Sequence, residues 1–111
     1  MPRFPEIIAK LPEADTTLRG VKVWLLQGPT ASAIFFEALE DSVVPEHTHC
    51  SQWGIVVEGE LHLTVGGTTR TYRRGDEYFI PAGMPHAATF TAGLRVIDFF
   101  DDPSRYRPKR T

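Results

Sequence analysis

From residue 21 to residue 100 the chain alternates apolar and polar positions with the two-residue period of strands. The clearest stretch is Glu60-Leu-His-Leu-Thr-Val65, which puts Leu61, Leu63 and Val65 on one face and His62 on the other. Gly66-Gly67 follows as a hairpin signal, so Thr68 to Tyr72 is predicted to pair back. Upstream, Val21 to Leu26 is β-branched and aromatic and stops at Gly28-Pro29, and Ala33 to Leu39 is a second strand. Glu40 to Pro45 reads as a connection, Trp53 to Val57 as an apolar strand, and Gly59 as its turn. Downstream come a turn at Gly75-Asp76, a strand Glu77 to Ile80, and a tight turn from Pro81 to Pro85. The last two strands, His86 to Thr91 and Leu94 to Phe100, are split by Ala92-Gly93. About nine or ten short strands at regular spacing predict an all-β sandwich or barrel. Ahead of it, Ile7, Ile8 and Leu11 share a helical stripe between Pro5 and Pro12, which predicts one short helical turn. Glu13 to Gly20 is a polar loop, and residues 101–111 are a polar, basic tail.

Composition narrows the class. The 111 residues suit one domain, residues 1–111, with its barrel core at about 21–100. A hydrophobic share of 41% with 23% charged residues excludes a disordered chain, and no run approaches the ~20 apolar residues of a membrane span. The net charge of −2 gives no reason to expect nucleic acid or a membrane surface as partner. Arg105, Arg107, Lys109 and Arg110 form the one basic cluster and read as a solvated tail. The single cysteine, Cys50, permits no intrachain disulfide, and the first residues hold no signal-peptide core, so a cytoplasmic setting is expected.

The chemistry gathers in Pro45 to Gly59. If that segment is extended, His47 and His49 point to one face, as two ligands of one metal ion must. The amide oxygen of Gln52 offers a third, neutral ligand, while strand parity turns Cys50 away. A lone histidine beside an apolar strand is more often a hydrogen-bonded structural residue. Two on one face put the metal reading level with the structural one. A second signature runs Gly75, five residues, Pro81, one residue, Gly83, two residues, His86. Its glycines permit backbone angles that a Cβ resists, and its proline stiffens the turn before His86. If the strand opened by His86 lies beside the one bearing His47, three imidazoles and an amide converge. His62 has the opposite parity to Leu61 and Leu63 and is expected to point outward, away from any metal.

Together the two signatures resemble the motifs of the cupin superfamily. The second is matched at every fixed position except its usual terminal Asn, where Phe90 stands. The resemblance covers about residues 33 to 100 and implies a small jelly-roll β-barrel. It also implies that His47, His49, Gln52 and His86 hold one divalent metal facing the interior. Zinc, nickel, iron, manganese and copper all suit three imidazoles and an oxygen. Most metal cupins carry Glu where Gln52 stands. An amide leaves the ion its full +2 charge, which favours polarising a hydroxyl or carbonyl over supporting higher oxidation states. The expectation is redox-neutral chemistry or binding alone, with metal-dependent dioxygenase chemistry behind both.

Asp98 lies within Val-Ile-Asp-Phe-Phe, where burying a charge needs a partner or a job. Either it faces solvent or an arginine such as Arg95 or Arg105, or it moves a proton on a metal-bound substrate. The chain is also similar to the small cupins that convert unsaturated uronates into linear keto-sugars. Those carry Gln among their ligands and end in an Asp-x-Phe strand followed closely by proline, here Asp98, Phe100 and Pro103. The segment between His49 and Gln52 is shorter than that pattern. The resemblance implies isomerase or lyase-type chemistry on a small oxygenated molecule such as a sugar acid, with Asp98 as acid or base. The alternative is a non-catalytic cupin that binds a metal or small ligand. Trp53, Phe36, Tyr78 and Phe90 could line a pocket but read first as core. Phe35 and Leu39 oppose Phe36 in parity, so the strand from Ala33 to Leu39 is apolar on both faces. Its outer face needs a cover, either the helix around Ile7 and Ile8 or a second subunit, and a two-fold homodimer through the N-terminal strands is expected.

Overall fold

The structure is a computed structural model and describes residues 3–109; Arg110 of the basic cluster lies outside the described residues. Among the described residues nine strands follow one another: β1 (Val21–Gln27), β2 (Ser32–Ala38), β3 (Ser42–His47), β4 (Gln52–Glu58), β5 (Glu60–Val65), β6 (Thr68–Arg73), β7 (Glu77–Ile80), β8 (His86–Phe90) and β9 (Arg95–Phe100). They form two antiparallel sheets, one ordered β1-β2-β9-β4-β7 and the other β3-β8-β5-β6. Such a pair of sheets is the arrangement of a jelly-roll barrel. The alternation read in the sequence decides the inner faces. Leu61, Leu63 and Phe90 from the four-stranded sheet pack on Val56, Tyr78, Ile80 and Val96 from the other. A second cluster of Val23, Leu25, Ile34 and Phe100 packs beside the main cavity. The Gly66-Gly67 hairpin forms as expected, with φ of 56° and 86° that side chains resist.

Two expectations change around the first histidine. Glu40 to Pro45 is no mere connection: Ser42 to His47 is β3, paired with β8. Pro45 is tolerated because β3 is an edge strand, and the register shifts between Val44 and His47. His47 therefore ends a strand and His49 stands in the irregular link to β4, so the two do not share one extended strand.

The basic tail is not a solvated extension. Asp15 N–H donates to Arg107 O at 2.7 Å and Lys109 N–H to Glu13 O at 2.7 Å, tying residues 13–15 to 107–109. Ser32 Oγ donates to Asp102 O, and Gln27 Nε2 to Pro103 O. At the other end, α1 (Glu6–Ala9) is the single turn predicted, but it buries no side chain, and Ile7 is 73% exposed. Phe4 does the covering instead, set edge-on against Trp24 and Phe35. No helix among the described residues is long and apolar enough to cross a membrane.

Candidate metal centre

His47 and His86 are direct cross-strand partners at the ends of β3 and β8. His49 reaches them from the link to β4, which is held by Gly83 N–H to His49 O at 3.0 Å and by Ala82 N–H to Ser51 Oγ at 3.1 Å. The second sequence signature thus fixes the position of the first. One ring nitrogen from each of the three histidines lies within 4.8 Å of the others, close enough for all three to reach one ion.

The tautomers follow from the backbone. Nδ1 of His47 lies 2.8 Å from Pro45 O, that of His49 2.7 Å from Cys50 O, and that of His86 2.9 Å from Met84 O. A carbonyl oxygen can only accept, so each Nδ1 carries the proton and each Nε2 keeps a free lone pair. His86 Nε2 and His49 Nε2 are 3.0 Å apart. Two lone pairs at that distance repel unless a proton or a metal ion lies between them. A single divalent transition-metal ion held by both nitrogens would remove that repulsion. Burial lowers the His49 pKa to about 4, with Arg105 and the other two imidazoles adding to the effect, and burial lowers that of His86 as well. Both rings are held neutral at pH 7, which is the form that binds metal. The donor set fits a divalent transition metal.

Gln52, at the start of β4, is buried and lines the same cavity. Beside it lies Asp98, buried and inward-facing, not turned to solvent. The hydrogen-bond partner of Asp98 is neither arginine considered from the sequence but Tyr78, whose hydroxyl donates to Asp98 Oδ1 at 2.5 Å. Burial raises the Asp98 pKa from 3.8 to about 6, against the opposing pull of Tyr78, the Gln52 amide and Arg105. Burial, and then the Asp98 charge, hold the Tyr78 hydroxyl well above its ordinary pKa, so Tyr78 stays a donor.

Arg105 is the functional candidate that sequence reasoning assigned to a solvated tail. The folded-back tail carries it into the cavity wall, stacked on Phe100 at 5.4 Å and Tyr106 at 4.4 Å. Its Nε is buried with no acceptor among the described residues, and no described carboxylate lies within ion-pair distance. Nothing in its local sequence signalled this; the backbone pairing of residues 13–15 with 107–109 creates it. Cys50 stands outside the cluster, half-buried against the second core cluster. His62 points outward as expected, to Thr71 and Glu60.

The cavity measures about 630 Å³, in the range of small-molecule sites, and is lined by the three histidines, Gln52, Asp98, Tyr78 and Arg105. The cupin domain family matches residues 36–100, more than half of the chain. The chain belongs to the cupin family. Among solved structures it is similar to an RmlC-like cupin from Shewanella frigidimarina, at 30% identity and a TM-score of 0.74, covering 85% of this chain and 86% of that one. KdgF from a Halomonas species is similar over 87% of this chain and 86% of its own, at 24% identity and a TM-score of 0.71. Oxalate decarboxylase from Bacillus subtilis, which has Mn(II) centres, shares the fold at 16% identity and a TM-score of 0.74. This cupin chain covers 87% of its own length but only 29% of that enzyme. No curated protein matches the chain in sequence.

Proposed function

We propose that this cupin is a metal-dependent enzyme of redox-neutral, isomerase or lyase type. Its substrate would be a small oxygenated carboxylate such as an unsaturated uronate or sugar acid. His47, His49, Gln52 and His86 would hold one divalent transition metal. When bound, that ion supplies Lewis-acid polarisation of a substrate hydroxyl or carbonyl. Asp98 takes a proton from substrate carbon or oxygen and returns it elsewhere on the same molecule. A carboxyl whose pKa is about 6 can do both near neutral pH. Tyr78 holds the Asp98 carboxylate in place through its hydroxyl. Arg105 receives the substrate carboxylate on its fixed fork of donors.

The observation that carries the reading is the shared cavity: three converging imidazoles, a buried carboxyl and an unpaired guanidinium line one space. A cupin that only stores a metal has no need of the second and third. The likeness of Gln52, Asp98, Phe100 and Pro103 to the uronate-converting cupins supports the same substrate class. A single thiol and no disulfide support a cytoplasmic setting. The test is metal analysis of protein purified without chelators, followed by a screen of unsaturated uronates and keto-sugars. Turnover that needs metal and is lost in Asp98→Asn with metal retained is the expected result. Full turnover in that variant, or none with any carboxylated sugar, overturns the reading.

A further inference from the structure

The cavity is amphipathic along its length. At one end the His49 ring stands beside His86 and edge-on to Phe100, with centroids 4.6 Å and 5.5 Å away. Four residues separate His86 from Phe90 along β8, and four separate Phe100 from Val96 along β9, about 13 Å at the rise of a strand. Val96 is the register partner of Phe36, and Phe36 meets Phe90 edge-on at 5.3 Å, so the two sheets touch there and form the inner end. Asp98 and its partner Tyr78 stand between the two ends. From that depth inward every other strand residue lining the cavity is apolar, among them Phe36, Val44, Leu63 and Ala88. Phe36, Val44 and Ala88 pack on the core cluster yet are only half-buried, so the sheets leave space in front of them. Phe90 and Val96 at the inner end are closed over. The remaining polar groups, such as Arg105 and Thr17, come from the tail and from the segment before β1, which are tied into one side wall.

We propose that the cavity selects, among small oxygenated carboxylates, those whose end remote from the acid is hydrocarbon: a methyl, deoxy or aryl end in place of a run of hydroxyls. The proposal rests on the preceding reading for the placement of the acid group at Arg105 and of its neighbouring oxygen at the histidines. The rest of such a molecule passes Asp98 and lies against Phe36, Val44 and Ala88. A hydroxyl placed there gives up its hydrogen bonds to water and finds no replacement, because the Tyr78 hydroxyl is already committed to Asp98. Each such hydroxyl lowers affinity roughly tenfold. A methylene in the same place raises it about fourfold by leaving water. Ala88 keeps the space open by its small size, and Val44 faces it from the edge strand β3. These two positions set the selectivity, and neither touches the histidines' ring nitrogens or Asp98 in any hydrogen bond.

The probes are lactate, 2-hydroxyhexanoate and gluconate, which share a carboxylate and an adjacent hydroxyl. Gluconate has the chain length of 2-hydroxyhexanoate but carries hydroxyls to its end. Titration of chelator-free protein, followed by NMR amide shifts, gives the affinities. 2-Hydroxyhexanoate should bind roughly tenfold or more tighter than lactate and roughly tenfold or more tighter than gluconate. Ala88→Leu fills the space, and Val44→Thr puts a hydroxyl into it at nearly constant size. In both, the advantage of 2-hydroxyhexanoate over lactate should shrink to about threefold or less while lactate binds as before. Circular dichroism checks the fold of each variant. Equal affinity for lactate and 2-hydroxyhexanoate, tighter binding of gluconate, or a chain-length advantage that both variants keep overturns the proposal. Metal-dependent turnover of a fully hydroxylated sugar acid would keep the enzyme and overturn the selectivity. A chain-length advantage in a protein without turnover would keep the selectivity and overturn the enzyme.

Discussion

Tyr78 and Asp98 lie on strands that do not pair with each other, yet the tyrosine hydroxyl donates to Asp98 Oδ1 at 2.5 Å. Strand β4 runs between β7 and β9, and in its register Gly54 faces both residues. The two side chains meet above Gly54. A Cβ there would stand 2.2 Å from Tyr78 Cζ and 2.3 Å from Asp98 Oδ1. The glycine is therefore needed for its lack of a side chain, not for an unusual backbone angle.

Gly54→Ala should break this pair. Neither neighbour can give way cheaply, because both are buried and bonded to each other. Overpacking of this kind costs about 1–3 kcal/mol, and separating the hydrogen bond adds to it. Urea unfolding should show a loss of about 3 kcal/mol, and Tyr78→Phe should show less because it creates no clash.

How the metal-free chain responds to pH depends on opposed groups, Asp98 on one side and His49 with His86 on the other. The folded-state pKa of Asp98 is raised from 3.8 to about 6, so the native state binds the extra proton between those values and stability falls as pH rises. The whole cost, up to about 3 kcal/mol, is present above that window. His49 is lowered from 6.5 to about 4, so there the unfolded state binds the extra proton and stability rises with pH. In Asp98→Asn the falling contribution disappears. Its urea midpoint should climb from pH 4 to pH 6.5 more steeply than that of the wild-type chain. Parallel profiles would mean that Asp98 titrates as an ordinary carboxyl.

Much of this was legible in the chain. Leu61 and Leu63 announce the inner face of β5 by period alone, and Gly75, Pro81, Gly83 and His86 announce the loop that brings in the third histidine. What the sequence concealed is what depends on long-range pairing. Glu40 to Pro45 hid a strand because its proline argues against one, and only its edge position removes the objection. The Tyr78–Asp98 bond joins residues twenty apart through a third strand. Gly54, alone in an apolar run, was the one available hint. Arg105 looked like tail because charge runs usually are, and its place in the cavity wall follows from hydrogen bonds to residues ninety positions earlier.

Replacing His47 and His86 together by Ala should abolish stoichiometric metal, since the remaining His49 and Gln52 are too few to compete with water. Elemental analysis of chelator-free protein is the measurement. Full occupancy in the double variant would remove the histidine cluster from the metal assignment.

Gln52→Glu tests the amide. A carboxylate beside a +2 ion strengthens binding directly. The same carboxylate stands next to Asp98, whose charge is already disfavoured by burial. The metal-free variant should therefore melt below the wild-type chain, and zinc should raise its Tm by more than it raises that of the wild type. Competition titration should show tighter binding. Equal or weaker binding would exclude Gln52 as a ligand.

Arg105 should set affinity for the acid group of a substrate without touching metal. Its guanidinium stands over the rings of Phe100 and Tyr106, and its Nε is buried without an acceptor among the described residues. A bidentate carboxylate would satisfy the fork, and a charge-assisted bond of this kind contributes about 1.5–3 kcal/mol. Arg105→Ala should thus raise KM for a carboxylated substrate by roughly 10- to 100-fold, with metal content unchanged. Arg105→Lys keeps the charge but loses the planar fork and the stacking, so it should recover only part of that affinity. The corresponding neutral sugar should be bound equally by all three proteins. If Arg105→Ala weakens both ligands alike, the guanidinium is only closing the cavity wall.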